Sequence, residues 1–541
     1  MQVLRGEQQR VLVLEQLLNQ QRHAELEEFV SQEFSNDLLG DSLLNAARAL
    51  HSAKVVIFLS TLGVANLPHP GDRAMWLLCY QSIAQKYEVD GFQTLPDVLP
   101  VKWVVRQLIG TPTQALAACQ GAPVDWVEAI ELAIDHTRLD LLEELVKHLT
   151  SRGLETATWL AIAKTLIDRE KLLRHQPDLG FYARSMECIF HQLPDDAETA
   201  NIRSTLASHA ARSFLDVNEP LPAKSMAMAV QAHDTIYEHE RTVCMAEACC
   251  RAGELAESIA WMDKALQIAM RPEILDEYRK KIEKRKARQN AKPYFDPVLA
   301  GQALTALQTA LDQCGHKIFL VSGTLLGYAR EGQLLGHDKD IDVGIMGWIN
   351  QFDVINAIIQ SKEFYVDTAS FGKENAYIVP IQHIDTQTAI DVFIYRHEDG
   401  KLVTGVNSRF GYLQKFAFTP FDIKPIDFLG ITLHAPSNID LNMEENFGEG
   451  WKISDPDYIS HLESPSTVDP GGLVYQLVGR LNLYGAISRG KTSKLMRILR
   501  LMEAQMHMPS GISSELLAQL WGLSTRLDDA LSPDIETAYA A

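Results

Sequence analysis

Two aspartates, Asp340 and Asp342, lie in a short apolar run whose residues predict a β-strand over 340–346. Because successive strand side chains alternate between faces, both carboxylates project to one side, and Ile341 and Val343 project to the other. Like charges on one face repel each other unless a cation lies between them. Mg²⁺ fits there, since it prefers carboxylates together with phosphate oxygens. An exposed acidic strand edge is the alternative interpretation of this pair alone.

A third carboxylate, Asp391, interrupts an apolar run that predicts a strand over 389–395. An unpaired carboxylate in such a strand is costly, so Asp391 needs a partner. If this strand lies beside the strand of Asp340, three carboxylates converge. Three converging carboxylates suit two metal ions that hold the attacking and leaving oxygens of a phosphoryl transfer.

The turn Ser322-Gly323-Thr324 follows a predicted strand at 317–321 and opens a predicted helix. A glycine there lets the backbone approach a ligand closely, and the helix N-terminus offers unpaired N–H groups. Together these features predict a phosphate-binding turn. The turn alone is a weak signal, because many strand-to-helix turns share it.

These motifs occur in the order typical of the LicD/fukutin group of phosphotransferases, which the chain resembles over about residues 297–460. The group is part of the DNA polymerase β-like nucleotidyltransferase superfamily. The similarity begins at SGTLLG (322–327), continues through Arg330, and reaches DKDID (338–342). The strand of Asp391 corresponds to the family's third acid. The later similar segments are PIDFLG (425–430), AP (435–436) and FGEGW (447–451).

Two positions depart from the family pattern. Lys339 replaces the middle acid of a run of three, and Gly336-His337 replaces a Pro-Trp pair. Lys339 supplies a cation near the expected phosphates. His337 adjoins the acids and is either a ligand contact or a loop histidine.

The resemblance implies a metal-dependent enzyme that moves a phosphorylated group from a CDP-activated donor to a hydroxyl of a cell-surface glycan. The group would be an alditol phosphate, glycerol phosphate or phosphocholine, and the acceptor a free or lipid-linked glycan. The resemblance gives roles to seven residues. Asp340, Asp342 and Asp391 would hold Mg²⁺ or Mn²⁺, with Asp391 accepting the acceptor's proton; Ser322, Gly323 and Thr324 would bind donor phosphates; Arg330 would neutralise developing charge. Lys339, which departs from the family pattern, is expected to bind donor phosphates through its charge.

The chain of 541 residues predicts an α+β multidomain fold. Helical stripes and regular breaks over residues 1–290 predict an α-solenoid, with subdomains near 1–150 and 151–290. Residues 246–272 resemble a tetratricopeptide repeat, with Gly253 at the turn and a departure at Ser258. An irregular helical domain is the alternative.

A mixed-sheet nucleotidyltransferase domain is predicted over 296–462, where Asp296 caps a helix that ends before Gly315. Further strands are expected near 376–382 and 428–434. A helical extension is predicted over 463–541.

Two basic stretches flank the sheet domain. The first, at 279–288, is either a solvated helix end or a patch for an anionic polymer or membrane. The second, at 489–500, is either a basic amphipathic helix on an anionic membrane or a helix packed on its own domain. The helical region could also bind a protein partner.

The composition narrows the function further. With 50 Lys+Arg against 70 Asp+Glu the net charge is −20, which argues against a general nucleic-acid binder. Seven scattered cysteines without metal spacing predict reduced thiols. The beginning of the sequence lacks the apolar run of a signal peptide, and the uncharged stretch at 55–71 is too short in its apolar part to span a bilayer. We therefore expect a cytoplasmic protein, with peripheral contact to the inner membrane face as an option.

Three alternative functions stay open from the residues. A nucleotidyltransferase on the same fold would release pyrophosphate from an NTP. A non-catalytic scaffold would use the helical region and carry a degenerate transferase domain. A glycosyltransferase could use a DxD pair, but the Ser322-Gly323-Thr324 turn argues against it. Among the remaining candidates, His316 and His383 are predicted to be structural, and Tyr328 and Trp451 to stack on a ligand or pack in the core.

Overall fold

The structure is a computed structural model. It describes residues 10–13, 127, 130, 134, 139–150, 153–173, 179–230, 235–289, 296–312, 315–335, 340–347, 354, 357–358, 360–366, 377–408 and 410–531. The predictions for the stretch 55–71, most of the subdomain 1–150, and His337, Asp338 and Lys339 lie outside these residues.

The first helical region consists of antiparallel helices joined by short turns. Its helices are α1 (Leu139–Thr150), α2 (Thr156–Leu173), α3 (Leu179–Gln192), α4 (Ala200–Asp216), α5 (Pro220–Ala229), α6 (Thr235–Arg251), α7 (Leu255–Ala269) and α8 (Pro272–Gln289). The predicted breaks at 193–195 and 219–220 separate α3 from α4 and α4 from α5. The expectation of a helical N-terminal region is therefore confirmed for the described residues.

The hairpin of α6 and α7 is closed by Gly253, whose φ of 81° lies in the left-handed region that favours glycine. The N–H of Glu254 donates to the carbonyl of Cys249 at 2.8 Å, which ends α6. Where the repeat pattern expects a small residue, the Ser258 hydroxyl donates to the Ala246 carbonyl at 2.7 Å. A buried serine is thus satisfied at the point where the two helices approach closely.

The sheet domain begins with α9 (Pro297–Asp312). The Asp296 carboxylate accepts the N–H of Val298 at 2.9 Å, so the predicted cap is confirmed. The elements that follow are β1 (Phe319–Leu320), α10 (Ser322–Glu331), β2 (Asp340–Met346), β3 (Phe364–Val366), β4 (Ile378–His383), β5 (Ala389–Glu398), β6 (Lys401–Asn407), β7 (Leu413–Phe418), β8 (Ile423–Phe428), β9 (Ile431–Pro436) and α11 (Ile439–Phe447).

Seven strands form one mixed sheet with the order β1-β2-β5-β4-β3, and β6 joins β5 to β7. The pair β2 and β5 is parallel, whereas β1–β2, β4–β5 and β3–β4 are antiparallel. The strand expected near 428–434 is present as β9, which begins later, at Ile431. Leu429 and Gly430 have φ of 56° and 79°, so the chain reverses there and β8 pairs with β9 as a separate hairpin.

One face of the sheet carries the main core of this domain. Ile341 and Val343 of β2 and Ile390 of β5 pack against α9 and α10. Val11, from the beginning of the chain, is fully buried in the same core. The chain's early residues therefore contribute to the sheet domain, beyond the boundary of 296 expected from the sequence.

The helices at the end of the chain pack on the first helical region. They are α12 (Ser460–Glu463), α13 (Leu473–Arg489), α14 (Thr492–Ala504), α15 (Ser514–Ser524) and α16 (Leu527–Ala530). Their apolar residues share one core with residues of α7 and α8. Within it the fully buried Arg480 of α13 binds both carboxylate oxygens of Asp263 on α7, at 2.5 and 3.1 Å. A buried ion pair thus joins segments far apart in sequence.

The apolar side of α14 faces this core. Leu495, Ile498 and Leu499 are buried, while Arg500 is exposed. The alternative that the 489–500 stretch packs on its own fold is therefore the correct one, and insertion into a membrane through that face is excluded. Among the described helices, none combines the length and apolarity needed to cross a bilayer. The described cysteines Cys188, Cys244, Cys249 and Cys250 are free thiols, as expected.

Candidate active site

Asp342 and Asp391 are direct neighbours across the parallel pair of β2 and β5. Adjacent strands lie about 4.8 Å apart, and paired residues point to the same face. Since Ile341, Val343 and Ile390 point into the core, both carboxylates leave the opposite face. The predicted convergence of these two acids is present in the fold, and both side chains are half-buried.

Asp340 lies two residues earlier on β2, on the same face, opposite Ala389. Its position at the strand's beginning sets it apart from the cross-strand pair. The three aspartates do not form a cluster in which all ligand atoms lie within 4.8 Å of one another. Within the described part of the chain, Cys249, Glu254 and Glu257 form such a cluster.

The cluster of Cys249, Glu254 and Glu257 already contains a cation. The Lys224 ammonium binds Glu254 at 2.7 Å and Glu257 at 3.0 Å. Burial raises the pKa of the Cys249 thiol to about 12, so the sulfur is protonated at neutral pH. The Cys249, Glu254 and Glu257 cluster is therefore a salt bridge beside a buried thiol. The aspartates are the better candidates for metal ligands.

The N-terminus of α10 holds Asp342 in place. The N–H of Gly323 donates to Oδ2 of Asp342 at 2.8 Å, and the N–H of Asp342 donates to the Thr324 hydroxyl at 2.8 Å. Thr324 is buried, whereas Ser322 is half-buried with a φ of 44°. A positive φ at a serine is strained, so the surrounding fold imposes this conformation. The predicted phosphate-binding turn is thus also the support of a carboxylate.

Aromatic side chains adjoin the acid pair on the same sheet face. The Phe319 ring covers Gly344, where an added Cβ would lie 2.5 Å from the ring. Tyr395 is four residues beyond Asp391, and its ring lies 5.3 Å from that of Phe319. Burial and the charge of Asp342 raise the pKa of the Tyr395 hydroxyl well above its usual value. Sequence reasoning missed Tyr395, although its even spacing from Asp391 placed it on the acid face.

Arg330 lies at the other end of α10 from Ser322, about 12 Å along the helix. Its guanidinium donates to the carbonyl of Trp451 and, at 3.0 Å, to that of Ile453. Burial lowers the pKa of Arg330, but the group stays charged. In this structure Arg330 holds the 451–453 backbone and does not meet the aspartates, and its role at the phosphoryl group stays a prediction.

The other candidates have structural surroundings. Trp451 is buried in the main core, and the Tyr328 ring packs edge-on against Phe428. His383 is buried and contacts the Thr386 hydroxyl at 2.9 Å, as expected for a structural histidine. His316 is also buried. These side chains are therefore structural, and the candidate site consists of Asp342, Asp391 and the turn that supports Asp342.

The donor set at this centre fits a hard divalent cation. Asp342 and Asp391 present carboxylate oxygens from neighbouring strands, and Asp340 adds a third on the same face. Oxygen ligands of this kind suit Mg²⁺ or Mn²⁺ rather than a thiolate-seeking metal. The N-terminus of α10, which lies against Asp342, is the end of a helix that favours anions. The arrangement can therefore hold a metal ion and a phosphate side by side.

Comparison with known proteins gives the same region. Residues 315–438 match the family model described as LicD/FKTN/FKRP, nucleotidyltransferase domain. Over 175 residues the chain is 27% identical to the human protein named ribitol-5-phosphate transferase FKTN. It is 28% identical over 176 residues to the mouse protein of the same name. An uncharacterized protein of Rickettsia prowazekii, RP689, is 28% identical over 142 residues.

These similarities are local. The part matched to the human FKTN protein is 32% of this chain and 37% of that protein. The part matched to the Rickettsia protein is 26% of this chain and 50% of that protein. The chain thus spans just over a third of the length of the FKTN proteins it matches. The matched family domain begins before β1 and ends at the β8–β9 hairpin, so it contains the acid pair and the turn that supports it.

Proposed function

Because residues 315–438 form a domain of the LicD/fukutin type, we propose that this protein is a metal-dependent phosphotransferase. The observation that carries the proposal is the cross-strand pair of Asp342 and Asp391, with Asp342 bonded to the first turn of α10. Two fixed carboxylates beside a helix N-terminus supply both the metal ligands and the anion site that phosphoryl transfer needs.

The proposed donor is a CDP-activated alditol, glycerol or choline, and the proposed acceptor is a hydroxyl of a cell-surface glycan. The names of the FKTN relatives, which describe transfer of ribitol 5-phosphate, favour an alditol phosphate as the transferred group. The matched part is 32% of this chain and 37% of the FKTN proteins. The choice among donors is therefore the first matter for experiment.

A divalent cation, Mg²⁺ or Mn²⁺, would be held by Asp342 and Asp391, with Asp340 as a further ligand. When bound, it would shield the negative charge of the donor's diphosphate. Gly323 and Thr324 keep Asp342 in one orientation through their hydrogen bonds. The Ser322 hydroxyl, the more exposed group of this turn, would contact a donor phosphate.

The transfer itself needs no covalent enzyme intermediate. The acceptor hydroxyl oxygen forms a new bond to the β-phosphorus of the donor, and the bond from that phosphorus to the bridging oxygen breaks, releasing CMP. The hydroxyl proton passes to Asp391, which is half-buried on the sheet face opposite the main core. The products are a phosphodiester-linked glycan and CMP.

The decisive experiment measures CMP release. The purified chain is incubated with Mg²⁺ or Mn²⁺, a glycan acceptor, and CDP-ribitol, CDP-glycerol or CDP-choline in turn. We expect release with at least one donor, loss of release with EDTA, and loss in Asp391→Asn. The matched control is Asp427→Asn, which removes an exposed carboxylate elsewhere in the same domain.

Other outcomes would support the alternatives. Pyrophosphate release from a plain NTP would favour a nucleotidyltransferase on the same fold. No turnover with any donor, together with an unchanged cellular phenotype in Asp342→Asn, would favour a scaffold. In that case the helical hairpins, which we propose to be degenerate tetratricopeptide-like units, would carry the function by binding a protein partner.

A further inference from the structure

The two basic stretches that flank the sheet domain meet in space. Ile282, near the end of α8, lies within 3.4 Å of the position that a Cβ on Gly490 would occupy. Gly490 is the left-handed residue that ends α13, and Lys491 follows it. The end of α8 and the α13–α14 turn are therefore neighbours, although about 200 residues separate them in sequence.

Five cations lie within a few residues of this contact along the chain. Lys281, Lys284 and Arg285 are spaced three and four residues apart on α8, so they share one side of the helix, and all three are exposed. Arg489 and Lys491 are exposed on either side of Gly490. We name these five residues the basic patch.

The five cations of the basic patch form no salt bridge within the described part of the chain. Arg279 and Lys280, which precede them on α8, pair with Asp276 at 2.9 Å and Glu277 at 2.7 Å. The Glu277 carboxylate is also near enough to Lys281 and Lys284 to interact with their charges at longer range. Five exposed cations so placed contrast with the net charge of −20 of the whole chain.

The turn that carries two of these cations has a fixed shape. The N–H of Lys491 donates to the Ala486 carbonyl at 2.9 Å, and that of Gly490 donates to the Ile487 carbonyl at 3.1 Å. These bonds form the usual glycine end of a helix. The patch is therefore presented by ordered backbone.

We propose that the basic patch binds the surface of a membrane that contains anionic lipids. The patch consists of a helix end and a tight turn, with its cations exposed rather than lining a groove, so it suits a flat anionic surface better than a threaded polymer. The apolar side of α14 is buried in the protein. Binding is therefore electrostatic, through lipid phosphates and carboxylates, without insertion of a helix.

The test measures sedimentation of the full chain with vesicles of phosphatidylcholine alone or mixed with phosphatidylserine. We expect binding only to the mixed vesicles at about 0.1 M salt and release at about 0.5 M, because salt screens exposed charges. The triple variant Lys281→Glu, Lys284→Glu, Arg285→Glu should bind about 100-fold more weakly, since each cation near an anionic surface contributes roughly a factor of five. By the same factor, Arg489→Glu with Lys491→Glu should weaken binding about 25-fold.

A control with the same change in charge distinguishes the patch from net charge. Lys164→Glu, Lys317→Glu and Lys401→Glu alter three exposed lysines on other elements and should leave vesicle binding within about threefold of wild type. An equal loss of vesicle binding in the control variant and in the patch variant would overturn the proposal. So would binding of soluble polyphosphate without binding of anionic vesicles, which would assign the patch to a polymer.

Release of CMP from a soluble donor and acceptor should be unchanged in the patch variants, because the patch lies outside the acid site. Failure of vesicle binding is thus distinguishable from failure of the proposed transferase activity. Circular dichroism spectra that match wild type would show that the charge reversals leave the helices folded.

Discussion

Asp342 on β2 faces Asp391 on β5 across a parallel strand pair, so two like charges lie side by side on one face of the sheet. Without a cation they repel each other. We expect Mg²⁺ to raise the Tm of the wild-type chain, because a ligand that binds only the folded state stabilises it. Asp391→Asn should raise the Tm in EDTA and abolish the shift with Mg²⁺. Differential scanning fluorimetry measures both, with Asp427→Asn as the control that keeps the shift.

Thr324 should matter as a hydrogen-bond acceptor rather than for its size. Thr324→Val leaves the N–H of Asp342 without its present acceptor, which costs about 1–3 kcal/mol in the free energy of unfolding. Thr324→Ser keeps the hydroxyl and should unfold at nearly the wild-type urea concentration. CMP release should fall in the valine variant alone. Equal unfolding midpoints for the two variants would contradict this role.

Gly327 of α10 is a position where an added methyl group has no room. A Cβ there would lie 2.6 Å from the Gln333 carbonyl oxygen, which is backbone and cannot move aside cheaply. We expect Gly327→Ala to destabilise the chain by about 1–3 kcal/mol. Gly485→Ala on α13 is the matched control, because nothing lies within 4 Å of its Cβ. It should stabilise by about 0.5–1 kcal/mol in urea unfolding.

The buried pair of Arg480 and Asp263 should respond unequally to loss of either partner. The Arg480 side chain is 1% exposed and that of Asp263 is 29% exposed. Asp263→Ala leaves a buried guanidinium without its anion, at a cost of about 3–5 kcal/mol. Arg480→Met leaves a carboxylate that water can reach, so it should cost less. Chemical unfolding of the two variants gives the comparison, and the reverse order would refute the argument from burial.

His239 should make stability depend on pH. Its ring lies between the hydroxyls of Tyr278 and Tyr484, with Nε2 3.0 and 3.2 Å from them. Burial, with a smaller effect from Lys281, lowers the pKa of His239 to about 4, against 6.5 for a free histidine. The unfolded state then binds more protons between these values, so stability is full above pH 6.5 and falls as pH drops toward 4.

The loss over that range is about 3 kcal/mol for this one group. His239→Gln should remove this part of the pH dependence, measured as the difference in unfolding free energy between pH 7 and pH 5. The control variant His507→Gln, which changes an exposed histidine, should leave this pH dependence in place. An unchanged pH profile in His239→Gln would show that other groups dominate.

Local patterns predicted much of the sheet domain. The strand of Asp340 and Asp342 has the predicted bounds, and the helix capped by Asp296 begins where expected, because alternation and capping act over a few residues. The strand of Asp391 continues to Glu398, beyond its predicted end. The turn between β5 and β6 is formed by Asp399 and Gly400, both at positive φ.

Local patterns do not contain the relations between distant segments. The resemblance predicts Arg330 at a phosphoryl group, which stays a prediction, whereas its contact with the Trp451 carbonyl, 121 residues later, has no local signal. The predicted helical tail was treated as separate, yet its helices share a core with α7 and α8. Likewise, Leu429 reads as a strand residue by type, and only its φ of 56° shows a turn.

The ion pair of Asp263 and Arg480 also has a consequence for synthesis of the chain. Its partners are 217 residues apart, and strands β1 to β9 are encoded between them. At ribosomal rates of about 5–20 residues per second, Asp263 emerges roughly 10–40 s before Arg480. During that interval α7 and α8 lack the helices that complete their core. The nascent chain therefore exposes the apolar residues of α7 and α8 throughout synthesis of the strands that follow.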